Sequence, residues 1–442
     1  MASGVPDCKF NFVLLLVEYI NMLNIKSTQT VNNSRFSSQF VKPRYEDYCF
    51  SNIPGTIKSL LGVNDNSSKL PVDALSKTKT DKVLFLFIDS FGWKFWEQYK
   101  NRYPFLKRFL DEGVVSKLTS QFPSTTAAHV TTIHTGLEVG QSGVYEWFYY
   151  EPKLDAMIAP LLFSFAGKKE RNNLEVTGIN PAEIYPQKTI YHELNKQKVS
   201  SYIVQNQAYT PSPYSDVVFA GATKILPYRN LAHSLTLLSN VINETQGPAY
   251  YFYYYDAIDS TGHVDGPGSA FHEAEIHNFF TAIEDLFYQK LKKKEELTIL
   301  LSADHGMANI SPKETYYINR EIPEILPLIK TNKNGQYLAP AGSARDIFMY
   351  IKDDKISEAK ALLTKKLDGQ AEVFEVSQLI KEGFFGNQKP SQNFLDRVGN
   401  LVVLSYNLHA AWWYEENKFE QLYYGHHGGL TPEEMEIPLL VL

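Results

Sequence analysis

Residues 83–88, VLFLFI, are apolar without interruption, and the next residue, Asp89, is a carboxylate. A strand with no polar side chain on either face must be covered on both, the condition of an inner strand in a parallel sheet. Similar runs recur at 250–255 (YYFYYY), 297–301 (LTILL), 401–404 (LVVL) and 437–442 (IPLLVL). Apolar residues at helical spacing separate several of them, as at 231–242 and 270–291. The alternation predicts an α/β fold on a doubly wound, mostly parallel sheet. At 442 residues the chain exceeds most single domains, so insertions into one large domain, or a second domain, are expected.

Three regions are expected. Residues 1–42 read as an N-terminal appendage. Within it, 10–20 (FNFVLLLVEYI) suits an amphipathic helix or extension better than a signal sequence: Asp7, Lys9 and Glu18 surround it, and no small-residue cleavage site follows. The stretch 21–39 is rich in Ser, Thr, Asn and Gln and reads as loose. The catalytic core takes 43–309 together with 398–442. It opens on a helix carrying Ile53, Ile57, Leu60 and Leu61, with Pro54 near its start, and a polar linker over 64–82. Residues 310–397 have strand-like 346–351, helix-like 356–367 and strand-like 371–376, and read as a smaller α+β insertion that caps the site.

Composition excludes some partners. A formal net charge of −6 gives no sign of the basic face that a nucleic-acid-binding protein presents, although a local basic site for a small phosphate ligand stays open. No apolar run approaches the ~20 residues that span a bilayer. Two cysteines, Cys8 and Cys49, allow at most one bridge, which fits a reducing, cytoplasmic setting without ruling out export. Oligomeric state has no signature.

Chemistry is concentrated where the apolar runs stop. The run 83–88 meets Asp89. The run 250–255 meets Asp256, Asp259 and, four residues later, His263; the run 297–301 meets Asp304 and His305. Ligands of open α/β sheets bind beyond the carboxyl ends of the strands, so these side chains are placed to share one crevice. Buried carboxylates need compensation, and a divalent cation supplies it. Mixed nitrogen and oxygen donors favour zinc or a similar ion over calcium. Taken singly, each acid is as readily a helix cap and each Asp-His pair a surface turn; their joint occurrence after apolar runs separates the two readings. The segment 122–136, FPSTTAAHVTTIHTG, adds hydroxyls at a predicted helix start, where N–H groups favour negative charge.

Together, IDSFGW at 88–93, FPSTT at 122–126, DSTGH at 259–263, ADHGM at 303–307 and HHGGLTPEEMEIPL at 426–439 resemble the alkaline phosphatase superfamily. Within it they resemble the type I phosphodiesterase/nucleotide pyrophosphatase family. The resemblance covers about 80–310 and 397–442 and implies hydrolysis of phosphate esters with two divalent ions, zinc in the first place. It assigns Asp89, Asp304 and His305 to one ion, with the nucleophilic hydroxyl facing it, and Asp259, His263 and His427 to the other. His426 is the alternative to His427, and Asp256 falls outside the pattern. Aligning Pro123 and the Thr135-Gly136 pair with the family makes Thr126 the nucleophile; aligning His129 makes it Thr125. The family's nucleotide-hydrolysing members carry an Asn soon after the T-G pair, where this chain has Trp147. That departure leaves nucleotide specificity open: another donor does the job or the substrate differs. A phosphomonoesterase or phosphonate hydrolase sharing the same metal set is the alternative. A catalytically silent binding protein would be expected to have lost a ligand or the nucleophile, and every matched position here is filled. The aromatic group Phe91, Trp93, Trp147, Phe148, Tyr149 and Tyr150 is suited either to stacking on a planar substrate or to packing beneath the site.

Overall fold

The computed structural model describes residues 22–63, 65–168 and 170–442; the segment 10–20 and Cys8 lie outside the described residues. Seven strands form the central sheet. In chain order they are β1 (Lys82–Ile88), β2 (Val114–Thr119), β3 (Ser200–Asn206), β4 (Lys224–Tyr228), β5 (Ala249–Tyr255), β6 (Leu297–Ser302) and β7 (Glu436–Val441). Across the sheet they run β2-β7-β6-β1-β5-β3-β4. β1 lies between β5 and β6, parallel to both, and Val83 through Ile88 are buried. β7 alone runs against its neighbours β2 and β6. This is the expected doubly wound, mostly parallel sheet.

β5 shows why tyrosine suits a buried strand whose far ends reach polar groups. The Tyr253 hydroxyl lies 2.9 Å from Ser234 Oγ, the Tyr255 hydroxyl donates to Glu275, and the Tyr254 hydroxyl donates to Asp89. Each ring fills core volume while its hydroxyl meets a partner.

Two expectations need correction. The run 401–404 is not a strand of the parallel sheet. Leu401–Ser405 lies inside a four-stranded antiparallel sheet, between Asp346–Met349 and Ala371–Glu375, with Ala341–Gly342 at the edge. Val402 and Leu404 face the main core, whereas Leu401 and Val403 face a second apolar cluster with Ile347, Leu363 and Ile325. A strand between two cores is apolar on both faces, the same signature as an inner parallel strand. The sheet that begins within 310–397 therefore takes one of its strands from beyond residue 397.

The second correction concerns residues 22–42. Ile25–Asn32 is a helix capped by Asn24, whose side chain accepts from the Ser27 N–H. Asn24 N–H donates to Val115 O, Lys117 N–H donates to Ser27 Oγ, and Val31, Phe40 and Val41 are fully buried. The polar composition that reads as loose instead supplies side-chain partners along the edge strand β2, which would otherwise expose unpaired backbone groups.

Candidate metal centre

The acids and histidines converge because the turns after β1 and β6 touch. A Cβ on Gly92 would lie 2.5 Å from Gly306 Cα, and one on Gly306 would lie 2.1 Å from Glu433 O. Only glycine permits that approach. It brings Asp89 and Asp304 side by side, and Ser90 N–H donates to Asp304 Oδ1 at 3.1 Å. After β5 the chain turns into the helix Ala257–Asp265, on which Asp259 and His263 are one turn apart and share a face. His427 arrives from the short strand Gly425–His426, which pairs with Ala308–Asn309 just beyond His305.

The resulting cluster is tight. His305 Nε2 lies 3.2 Å from Asp304 Oδ2 and 3.5 Å from Asp89 Oδ1. Asp259 Oδ2 is 3.4 Å from His263 Nε2, and His427 Nε2 is 3.2 Å from His263 Nε2 and 3.9 Å from Asp259 Oδ1. Two sets have donor atoms all within 4.8 Å of one another: Asp259, His263 and His427, and Asp89, Asp259 and His305. Asp259 belongs to both. Thr126, first residue of the helix Thr126–Thr135, has its Oγ 3.5 Å from Asp89 Oδ2 and 3.3 Å from His305 Nε2.

Each histidine is held in one tautomer. Nδ1 of His263 donates to Gly425 O at 2.7 Å, Nδ1 of His427 to Ser124 O at 2.9 Å, and Nδ1 of His305 to Gly306 O at 3.0 Å. A carbonyl accepts only, so Nδ1 carries a proton and Nε2 is the ring nitrogen that faces the crevice.

Three buried carboxylates crowd the cluster, and against burial Asp304 raises the His305 imidazole above its ordinary value. Burial, reinforced by Asp304 and Asp259, pushes the Asp89 carboxyl well above its ordinary range, and burial raises Asp259 as well. Asp304 is buried too, yet neighbouring His305 holds it below the usual carboxylate range. Burial, then His305 and His263, push the His427 imidazole well below its ordinary value. Asp89 Oδ1, Asp259 Oδ1 and Asp304 Oδ2 are buried with no hydrogen-bond partner. Three orphaned carboxylate oxygens beside three Nε2 atoms are a donor set that divalent cations satisfy. Among the described residues no Lys or Arg makes an ion pair with these carboxylates.

All seven residues singled out from the sequence thus lie in one crevice. Of the alternatives, Thr125 is the N-cap residue of the helix Thr126–Thr135 without a side-chain capping bond, and its carbonyl accepts from His129 Nδ1. His426 is buried on the short strand, its Nε2 without a partner. Asp256 accepts from the Tyr209 hydroxyl and belongs to neither donor set. Most of the aromatic group packs: Phe91 against Phe280, Trp93 against Trp96, Phe148 against Phe419, Tyr150 against Tyr350. Trp147 is 39% exposed, its backbone N–H on Glu146 Oε2. Sequence reasoning missed Tyr254, whose hydroxyl holds Asp89 Oδ2. The available signal was register: Tyr254 lies opposite Phe87, two residues before Asp89.

The likeness to known proteins covers the same elements. Residues 83–430 match the family described as type I phosphodiesterase / nucleotide pyrophosphatase. The rat ectonucleotide pyrophosphatase/phosphodiesterase family member 3 is 25% identical over 258 residues, 55% of this chain but only 27% of that protein. The murine ectonucleotide pyrophosphatase/phosphodiesterase 5 superposes with a TM-score of 0.59 at 19% identity, covering 81% of this chain and 87% of that one. Sinorhizobium meliloti phosphonoacetate hydrolase, solved with phosphonoacetate, gives 0.58 at 16% identity over 81% and 89%. The last two likenesses concern the fold. The chain belongs to the type I phosphodiesterase/nucleotide pyrophosphatase family of phosphoric ester hydrolases.

Proposed function

We propose that this protein hydrolyses phosphodiesters through a phosphorylated Thr126 with the aid of two divalent ions. The observation that carries the reading is the position of Thr126 Oγ, at the mouth of a helix and beside Asp89 and His305, in a crevice with three unpartnered carboxylate oxygens. Asp89, Asp304 and His305 would hold one ion and Asp259, His263 and His427 the other; the nitrogen and oxygen donors favour zinc. When bound, the ions supply positive charge to the phosphoryl oxygens and acidify a hydroxyl or water.

The chain's own groups do the rest. Thr126 Oγ loses its proton to water and forms a bond to phosphorus while the bond to the leaving oxygen breaks, and that oxygen takes up a proton from water. A water molecule then adds to phosphorus as the Oγ–P bond breaks, and the threonine hydroxyl is restored. Backbone N–H groups at the start of Thr126–Thr135 favour the negative charge of the phosphoryl group. Tyr254 donates to Asp89 and keeps its free oxygen turned to the crevice; burial holds the phenol protonated.

The test is turnover of bis-p-nitrophenyl phosphate against p-nitrophenyl phosphate by protein stripped of metal and refilled with zinc. Diester turnover that appears only on refilling supports the reading. Preference for the monoester moves the assignment to a phosphomonoesterase or phosphonate hydrolase sharing the same residues.

A further inference from the structure

Next to the turn that carries Asp304 and His305 lies a cavity of about 240 Å³ that the reaction above does not use. Phe95, Pro267, Met307 and Leu408 give it apolar walls, and Lys94 and Glu433 give it one charge of each sign. The nearby carboxylates Glu434 and Glu436 are paired with Arg345 and Lys117, whereas Lys94 and Glu433 are in no ion pair among the described residues. Glu433 accepts from a neutral donor, Asn407 Nδ2, at 3.2 Å. Opposite charges that share a cavity without pairing to each other are placed to hold the two ends of a zwitterion. Leu408 keeps φ at +65° with its side chain 68% exposed, a left-handed conformation that is costly for a branched residue. The His272 ring stands behind two lining residues, 4.9 Å from the ring of Phe95 and with Nδ1 accepting from Gly268 N–H. Burial pushes this imidazole down to about 4, so it is neutral, and its Nε2–H is buried without an acceptor. A donor in that state is costly unless an occupant of the cavity supplies the acceptor.

We infer that this cavity binds a small zwitterion with an apolar body, of the amino-acid class, and that its occupant strengthens the metal centre. The volume lies under the about 300 Å³ at which pockets for drug-sized ligands begin, so the occupant is small. The link to the metal centre runs through Met307. Its Sδ rests against Gly425 and against Gly262, where a Cβ would lie 2.7 Å away. Gly262 directly precedes His263, Gly425 opens the short strand before His427, and Met307 follows His305 by two residues. A ligand packed on Met307 therefore braces the three segments that bring these histidines together, and ligand and metal each raise the affinity for the other.

The test uses 4-(aminomethyl)benzoate, whose charges stand too far apart to chelate one ion. Its controls are 4-methylbenzoate and benzylamine, each lacking one of the charges. Calorimetric titration of the metal-stripped full chain should show saturable binding of the zwitterion and about tenfold weaker binding of each control, the scale of a lost charge-assisted contact. Lys94→Gln/Glu433→Gln, whose folding a melting curve verifies, should bind the zwitterion no better than the controls. In competition with a chelator, saturating zwitterion should raise zinc affinity about fivefold in the wild type and leave it unchanged in the double variant. Absence of binding, or equal binding of all three compounds, overturns the zwitterion site. Binding unchanged in the double variant overturns its placement in this cavity, and unchanged zinc affinity in the wild type overturns the link to the metal centre. None of these outcomes measures turnover, so the phosphodiesterase reading stands or falls separately.

Discussion

The imidazole rings of His305 and His427 stack face to face, 3.6 Å between centroids and 11° from parallel. They come from distant points in the chain, one from the turn after β6 and one from the segment leading into β7. Each has its Nδ1 tied to a backbone carbonyl, so neither ring can rotate without losing that bond and colliding with the other. The stack therefore aims both Nε2 atoms into one crevice before any ion arrives, and preorganisation of this kind lowers the cost of binding.

Ion content should distinguish the adjacent histidines. His427→Ala is expected to lose one of two bound zinc ions per chain and to lower diester turnover by a factor of about hundreds or more, the scale of a lost charge-stabilising contact. His426→Ala should retain both ions, because its ring lies outside the cluster. Metal analysis of the two purified variants checks this, and equal ion content in both would count against the assignment.

Tyr254→Phe removes the hydroxyl that holds Asp89 Oδ2 and leaves the ring in the core. Loss of such a supporting hydrogen bond costs about 10-fold to 100-fold in metal affinity. Competition with a zinc chelator measures the shift; unchanged affinity would mean that Asp89 is positioned by backbone alone.

Asp346 gives a prediction for alkaline pH. Burial pushes its carboxyl up to about 7 from 3.8, against hydrogen bonds from Ser343, with the carboxyl of Glu146 close by. The folded state thus holds a proton that the unfolded chain releases. The stability from this group is fully present below pH 3.8 and is lost as pH rises through about 7. Asp346→Asn keeps the acceptor for Ser343 without that loss. Its melting temperature should exceed that of the wild type at pH 8.5, with a smaller difference at pH 5; a lower value at both would contradict this.

Arg345 and Glu434 form a bidentate, fully buried ion pair, with distances of 3.1 and 2.9 Å. Glu434 also accepts from Gly429 N–H and the Thr431 hydroxyl, which fixes the loop carrying His427. Removing one partner of such a pair leaves an uncompensated charge and costs about 3–5 kcal/mol. Glu434→Gln should shift the urea midpoint down with little change in the slope of the transition.

Much of the site was legible because its residues sit at the ends of elements with strong periodic signals. Asp89, Asp259, Asp304 and His305 follow directly from where apolar runs stop. Tyr254 was not legible in the same way, since within YYFYYY only cross-strand register distinguishes the tyrosine beside Asp89 from those that pack. The run 401–404 misled because burial between two cores and burial inside a parallel sheet impose the same composition. Residues 22–42 misled because polar side chains that hydrogen-bond an edge strand look, one at a time, like those of a solvated segment.

The most direct test compares Thr126→Ala with Thr125→Ala, both loaded with zinc, on bis-p-nitrophenyl phosphate. Thr126 Oγ faces Asp89 and His305, whereas Thr125 caps the helix. Thr126→Ala should lose turnover by a factor of about hundreds or more while keeping its metal, and Thr125→Ala should retain most of it. Full activity in Thr126→Ala, or its loss only in Thr125→Ala, would contradict a mechanism that runs through Thr126.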